Sequence, residues 1–213
     1  MLFNNHHPET NGEKLFYEKH KNQFKVIWDV GCRSDSLFTS FTGQVHYFEP
    51  CSSHLDLLAS QNNILNSQSF FNPFGLSDEN QFLSYYPTYQ SFLDRVSSCG
   101  RSDDENKIIL EVRRADEYIR DNNIQEIDFL KIDTEGYEFK VLKGFGETLS
   151  IVKMIQFEYG GTFLDNKTKL CDVIYYLENF GFTGFSYLCP QGTVLLPDKD
   201  DHYQYCNIVC WKW

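Results

Sequence analysis

Five carboxylates stand where a chain of this kind could use them. Asp29 sits near the end of the apolar run KVIWDVG, and Glu49 follows the run QVHYF. Asp133 closes IDFLKID, Glu135 comes two residues later, and Glu158 closes IVKMIQFE. An acid at the end of a buried run can accept bonds from ribose hydroxyls, face a cation, or take a proton from an alcohol. Asp133 and Glu135 point the same way if extended geometry persists to Glu135, and neighbouring carboxylates raise one another's pKa, which suits a base. Glu135 also fits a plain helix-start acid, and Glu158 an acid in the turn before Gly160-Gly161. Asp133, Glu135 and Glu158 are the catalytic candidates. The same three could hold a divalent cation through oxygen ligands.

Asp29-Val30-Gly31 supplies a tight turn by which a nucleoside can approach backbone. Glu49 stands about 20 residues on, the interval that dinucleotide-binding folds leave before the ribose-binding acid. The full Gly-x-Gly-x-x-Gly is missing, because the turn reads Gly31-Cys32-Arg33-Ser34-Asp35. A pyrophosphate needs several close backbone N–H groups and is repelled by Asp35, so an NAD-dependent oxidoreductase is the weakest reading. A phosphate-free cofactor with a sulfonium cation, S-adenosylmethionine, tolerates nearby carboxylates. His46 and His54 flank Glu49 and are expected to be structural. Tyr137, Tyr159 and Phe163 either pack the core or shape an acceptor pocket.

The elements that must position these residues alternate. Strands are expected at 25–31, 44–50, 69–76, 127–133 and 151–158, with Asn72-Pro73 bending the third. Helices are expected after Ser34-Asp35-Ser36 with Leu37, Phe38 and Phe41, and through Leu55, Leu57 and Leu58. Further helices fit 115–123, Glu138–Leu149 with breaks at Gly144 and Gly146, and about 168–179 with Leu170, Val173, Ile174 and Leu177 on one face. Residues 81–86 and 107–113 fit an antiparallel pair joined by the polar loop SSCGRSDDEN. FSYL and CNIVCWKW close the chain as strands. Residues 1–24 form a polar leader and a short helix docked by Leu15, Phe16 and Phe24. Residues 25–213 form one Rossmann-like domain. Such a pattern calls for a mostly parallel sheet with helices on both faces and ligands outside the carboxyl ends of its strands.

Composition narrows the function further. A formal charge of −11 makes nucleic acid a poor partner. The pair Arg113-Arg114 fits a solvated strand end. Seven cysteines without a CxxC pair point to reduced thiols rather than zinc. No apolar run approaches a membrane span, and the N-terminus lacks a basic n-region, so a soluble, cytoplasmic protein is expected.

In order along the chain, DVGCRSDSLF, HYFEP, FGLSD, IDFLKIDTEGYEFKVLKGF and IQFEYG resemble the FkbM family of class I methyltransferases. The resemblance spans roughly residues 26–160, with LKIDTEGYE and VLKG its most specific part. It implies a seven-stranded α/β sheet with the last strand antiparallel and an inserted antiparallel hairpin. It implies S-adenosylmethionine as cofactor and a hydroxyl on a sugar or small metabolite as acceptor. Asp29, Gly31 and Cys32 would follow the methionine part, Glu49 the ribose, and Asn72, Leu76 and Ser77 the adenine. Asp133 would face the sulfonium and the acceptor. The family turn usually reads Asp-x-Gly-Ala-Asn-x-Gly. Here Arg33 and Asp35 replace the Asn and the last Gly, which predicts a narrowed pocket and a strained Asp35. An active O-methyltransferase is one reading, and a binding or scaffolding protein on a decayed methyltransferase fold is the other. Acceptor loops are expected at 87–105 and 160–168.

Overall fold

The computed structural model describes residues 5–61, 68–95, 100 and 104–212. Residues 1–4 of the leader and, in the polar loop SSCGRSDDEN, residues 97–99 and 101–103 lie outside the described residues.

Buried apolar runs become the centre of one sheet. Strands β1 (Val26–Val30), β2 (Gln44–Phe48) and β3 (Gln68–Asn72) step outward in one direction, all parallel. The chain then returns through β7 (Ile127–Ile132) and β8 (Val152–Tyr159) on the other side of β1. Direction of travel reverses between β1 and β7, which makes a topological switch point there. Strand β11 (Cys206–Trp211) pairs antiparallel with both β8 and β9 (Gly184–Cys189). Among the described residues the order, from the edge strand β10 (Gly192–Leu195), is β10-β9-β11-β8-β7-β1-β2-β3.

That sheet has eight strands, not the expected seven. The extra one is β10 (Gly192–Leu195), which folds back on β9 at the edge. Its residues are mostly exposed, so no apolar pattern announces it. The bend at Asn72-Pro73 separates β3 from β4 (Gly75–Leu76), which joins a second, three-stranded sheet with β5 (Gln81–Tyr85) and β6 (Ile108–Arg113). Strands β5 and β6 are antiparallel, as the sequence implied.

Helices cover the sheet. These are α1 (Glu13–His20), α2 (Ser52–Gln61), α3 (Ala115–Asp121), α4 (Glu138–Phe145), the short α5 (Thr162–Asp165) and α6 (Leu170–Asn179). Leu170, Val173, Ile174 and Leu177 bury one face of α6, as their spacing requires. One core cluster centres on Trp28, Leu130, Phe145 and Phe157, and another packs Phe16, Phe24, Phe38 and Phe129.

Two local expectations fail. No helix forms after Ser34-Asp35-Ser36, where the chain runs through turns. The Ser36 hydroxyl donates to Asp29 Oδ2 at 2.5 Å and accepts from the Phe38 N–H at 3.1 Å, so it makes a local turn instead of a cap. Leu15 is exposed, and Tyr17 takes its place beside Phe16 in docking α1. Among the described residues, no helix is long and apolar enough to cross a membrane.

Candidate active site

The carboxyl ends of β1, β2, β7 and β8 gather the acids that the sequence singled out. Glycine 31 (φ +78°) turns the chain sharply after β1, and its N–H donates to Phe48 O at 2.8 Å. The Asp133 N–H donates to Val30 O at 2.9 Å, which holds the ends of β1 and β7 together. Two contiguous clefts share Gly31, Arg33, Asp133 and Glu135 along this rim. Each is open to solvent, with free space of about 440 and 590 Å³ when the solvent at the mouth is included.

The first cleft is lined by the apolar side chains of Phe48, Leu76, Tyr85, Phe92 and Tyr137, together with Glu49. Glu49 is buried. Its Oε2 accepts from the Arg33 N–H at 3.2 Å, and its Oε1 from the Cys51 N–H at 2.9 Å. His54 Nδ1 lies 3.4 Å from Oε1. Burial pushes the Glu49 carboxyl up, against these bonds. His46 points elsewhere. It stacks on Phe70 and shares a contact with the Tyr118 hydroxyl at 2.9 Å, and burial lowers its pKa to about 4.

The second cleft carries Asp29, Cys32, Ser36, Lys131, Glu158 and Tyr205. Asp29 is buried, and its Oδ1 has no hydrogen-bond partner. Desolvation raises its pKa to about 6, although Lys131 pulls the other way. The Lys131 ammonium bonds Asp133 Oδ2 at 2.9 Å and lies 4.0 Å from Asp29 Oδ1. Burial works against that charge, but the two aspartates hold it on the lysine and raise its pKa well above the ordinary value. Asp133 titrates low because Lys131 overrides its own burial. Burial first, and then the neighbouring acids, push Glu135 and Glu158 up. Cys32 is a buried neutral thiol, its pKa raised by desolvation and by Asp29.

Asp133, Glu135 and Glu158 do meet, but not by extended geometry. Glu135 adopts φ +53°, so the chain has already turned. Arg95 pairs with Glu135 at 3.2 Å, and the Ser91 hydroxyl bonds Glu135 O. The strain expected at Asp35 is absent. Arg33 takes the left-handed conformation (φ +51°) instead, and both side chains are exposed. Leu76 lines the first cleft. Asn72 spends its amide on the Tyr47 and Phe70 carbonyls, and Ser77 bonds Asp78. Tyr137 lines the first cleft, whereas Tyr159 and Phe163 pack in the core. Arg113 pairs with Glu111 and lies over the Phe74 ring, and Arg114 pairs with Asp116.

Sequence reasoning missed Lys131, a charge inside an apolar strand, and that position was itself the available signal. It also missed Glu138. This fully buried side chain accepts from the Thr134 N–H, the Thr134 hydroxyl and the Gly136 N–H at 2.9–3.1 Å, and so fixes the loop that presents Asp133 and Glu135. Desolvation raises its pKa to about 7. A carboxyl whose pKa is higher folded than unfolded stabilises most below its unfolded pKa. That contribution is lost as pH rises from about 4.5 through 7. Glu138→Gln keeps the accepting oxygen and removes the titration. Urea unfolding between pH 5 and 8 should therefore lose a pH-dependent decline of roughly 2–3 kcal/mol. An unchanged decline would show that another group titrates.

Strand order, switch point and an acidic rim define a Rossmann-like α/β fold of the class I methyltransferase type. The sequence matches the family model of the methyltransferase FkbM domain over residues 29–183, and the chain belongs to that family. A crystal structure of a methyltransferase FkbM from Methylobacillus flagellatus aligns with a TM-score of 0.52 at 16% identity, covering 88% of this chain and 44% of that one. This chain thus spans less than half the length of that relative. A TehB-like SAM-dependent methyltransferase from Corynebacterium glutamicum aligns at a TM-score of 0.45 and 9% identity, over 93% of this chain and 89% of that one. No curated protein matches the sequence.

Proposed function

We propose that this chain is an S-adenosylmethionine-dependent methyltransferase acting on a hydroxyl of a sugar or small metabolite, with residues 25–213 as its methyltransferase domain. The observation that carries the reading is that Asp133 lines two contiguous clefts at the switch point, one with Asp29 and the other with Glu49 and apolar side chains. The residues present fit the cofactor. Phe48, Leu76 and Phe92 offer apolar contacts for a purine, Glu49 an acceptor for ribose hydroxyls, and Asp29 Oδ1, which has no hydrogen-bond partner, an acceptor for an ammonium.

S-adenosylmethionine, when bound, supplies a methyl group on a sulfonium that leaves readily. The protein must then align an acceptor oxygen, exclude water and remove a proton. Asp133 stays ionised beside Lys131 and faces the cationic side. Glu135 and Glu158, with raised affinities for protons, suit the role of base. An acidic rim also suits a neutral acceptor better than a phosphorylated one.

The test is thermal unfolding with S-adenosylhomocysteine. Ligand at 100 times its dissociation constant adds about 2.7 kcal/mol, or roughly 5–10 °C for a chain of this size. Glu49→Ala should abolish that shift. No shift in the unmodified protein would instead support a binding or scaffolding role on the same fold.

A further inference from the structure

The amino ends of β7 and β8, at the edge of the sheet opposite the two clefts, hold a separate cavity of about 410 Å³, within the size range of small-ligand sites. Helix α1 faces those strand ends across it, and the end of β11 closes one side. Its apolar wall is aromatic. Phe16 and Phe24 are buried against Phe129, with Phe24 stacked on that ring at 5.1 Å between centroids, and Trp211 and Met154 extend the wall. A wall already packed in place loses little freedom when a ligand binds. The cavity shares no lining residue with either cleft.

A chain of formal charge −11 brings Lys19, Lys153, Lys212 and His20 to this cavity against a single carboxylate, Asp128. That acid is already engaged. Its Oδ2 accepts from the Lys25 and Val26 N–H groups at 2.7 and 3.0 Å, and its Oδ1 holds the Lys153 ammonium at 2.8 Å. Lys153 also reaches Glu126. Among the described residues, no carboxylate pairs with Lys19 or Lys212. The Lys212 ammonium donates to Leu149 O at 3.0 Å and Ser150 O at 2.9 Å and lies over the Phe182 ring, so it is held in place without a counter-charge. Burial lowers its pKa, the sign of a cation short of an anion. His20 Nδ1 is buried and has no hydrogen-bond partner among the described residues. Burial and Lys19 lower the His20 pKa, which keeps the ring neutral with one N–H to give.

We propose that this cavity binds a small aromatic carboxylate, its ring on Phe16, Phe24 and Trp211 and its anion beside Lys212, Lys19 and His20. Flat rings gain edge and face contacts with aromatic side chains, and contacts with a sulfur such as that of Met154, beyond burial alone. The carboxylate supplies the acceptor that the Lys212 ammonium and the His20 ring lack. Two unpaired ammoniums on an acidic protein suit one negative charge better than the two of a phosphate ester. The inference does not depend on the methyltransferase reading, because the cavity and the clefts lie at opposite edges of the sheet.

The experiment titrates the full chain with 2-naphthoate by isothermal calorimetry. A single saturable site is expected. 2-Naphthamide, the same ring without the charge, should bind about tenfold or more weakly, the worth of one charge-assisted hydrogen bond. Lys212→Met should weaken 2-naphthoate by a similar factor. Because Lys212 also holds two backbone carbonyls, Lys19→Met and Thr193→Trp, both at exposed positions of the lining, guard against a folding defect. The first should weaken 2-naphthoate but not 2-naphthamide, and the second, which fills the cavity, should abolish binding of both. Lys143→Met, on α4 and outside the lining, should bind like the parent. Absence of a saturable site, equal affinity for the two probes, or unchanged affinity in Lys19→Met and Thr193→Trp would overturn the inference. Competition by S-adenosylhomocysteine would overturn it as well, because it would put the probe in the clefts at the opposite edge.

Discussion

Lys131→Met should cost about 3–5 kcal/mol of folding stability at neutral pH. The lysine sits on a strand whose other residues are buried, and its own side chain is only 12% exposed. Its ammonium is shared between Asp29 and Asp133. Methionine fills the same length of space, so packing is largely kept and the charge alone is removed. Two carboxylates then face each other across a low-dielectric rim with no cation between them. Asp29 already titrates near 6 with the lysine in place, so without it the folded pKa must climb further. The sign follows. A carboxyl with raised folded pKa contributes most stability below its unfolded pKa and loses it as pH rises through the folded one. The deficit of Lys131→Met should therefore be large at pH 8 and shrink toward pH 5, where Asp29 takes up a proton. Urea unfolding at both values measures it. Equal deficits would mean that the lysine acts by packing and not by charge.

That lysine also marks where sequence stops being legible. Strands β1, β2, β7 and β8 were readable because buried parallel strands need unbroken apolar runs, and the acids at their ends stood out against those runs. The same logic gave α6 and the bend at Asn72-Pro73. What lay hidden depends on partners distant in the chain. Glu13 is a buried acid bonded by Gln156 and Asn207, 143 and 194 residues away, and no local pattern announces such a network. It fixes the start of α1, and with His6 and Pro8 it forms one wall of the second cleft. A polar leader thus becomes part of the site. Glu135 stands beside Asp133 by a geometry that no sequence pattern announces. Its left-handed backbone, whose carbonyl accepts from the Ser91 hydroxyl, brings its carboxylate back toward Asp133. Ser36 looked like a helix cap because capping and side-chain turns use the same residue type.

Gly31→Ala should be as damaging as any single methyl group added to this protein. Two separable penalties act there. The first is conformational: φ +78° is a backbone state that alanine adopts at a cost of about 1–2 kcal/mol. The second is steric. A Cβ at this position would stand 2.0 Å from Asp133 O and 2.8 Å from its carbonyl carbon, which is backbone and cannot swing aside. Relief requires β1 and β7 to part at the switch point, against the bonds from Gly31 to Phe48 O and from Asp133 to Val30 O. Overpacking of this kind adds about 1–3 kcal/mol, so a total near 4 kcal/mol is expected. Gly181 isolates the first penalty, since it has φ +87° and nothing within 4 Å of an added Cβ. Chemical unfolding of Gly31→Ala and Gly181→Ala side by side then reports the close approach as their difference. Gly31→Ala should also lose the S-adenosylhomocysteine shift at temperatures where it is still folded, because parting the strands moves Asp29 away from Asp133. Were the two variants equally stable, the tight junction of β1 and β7 would not exist, and the width of both clefts would have to be redrawn.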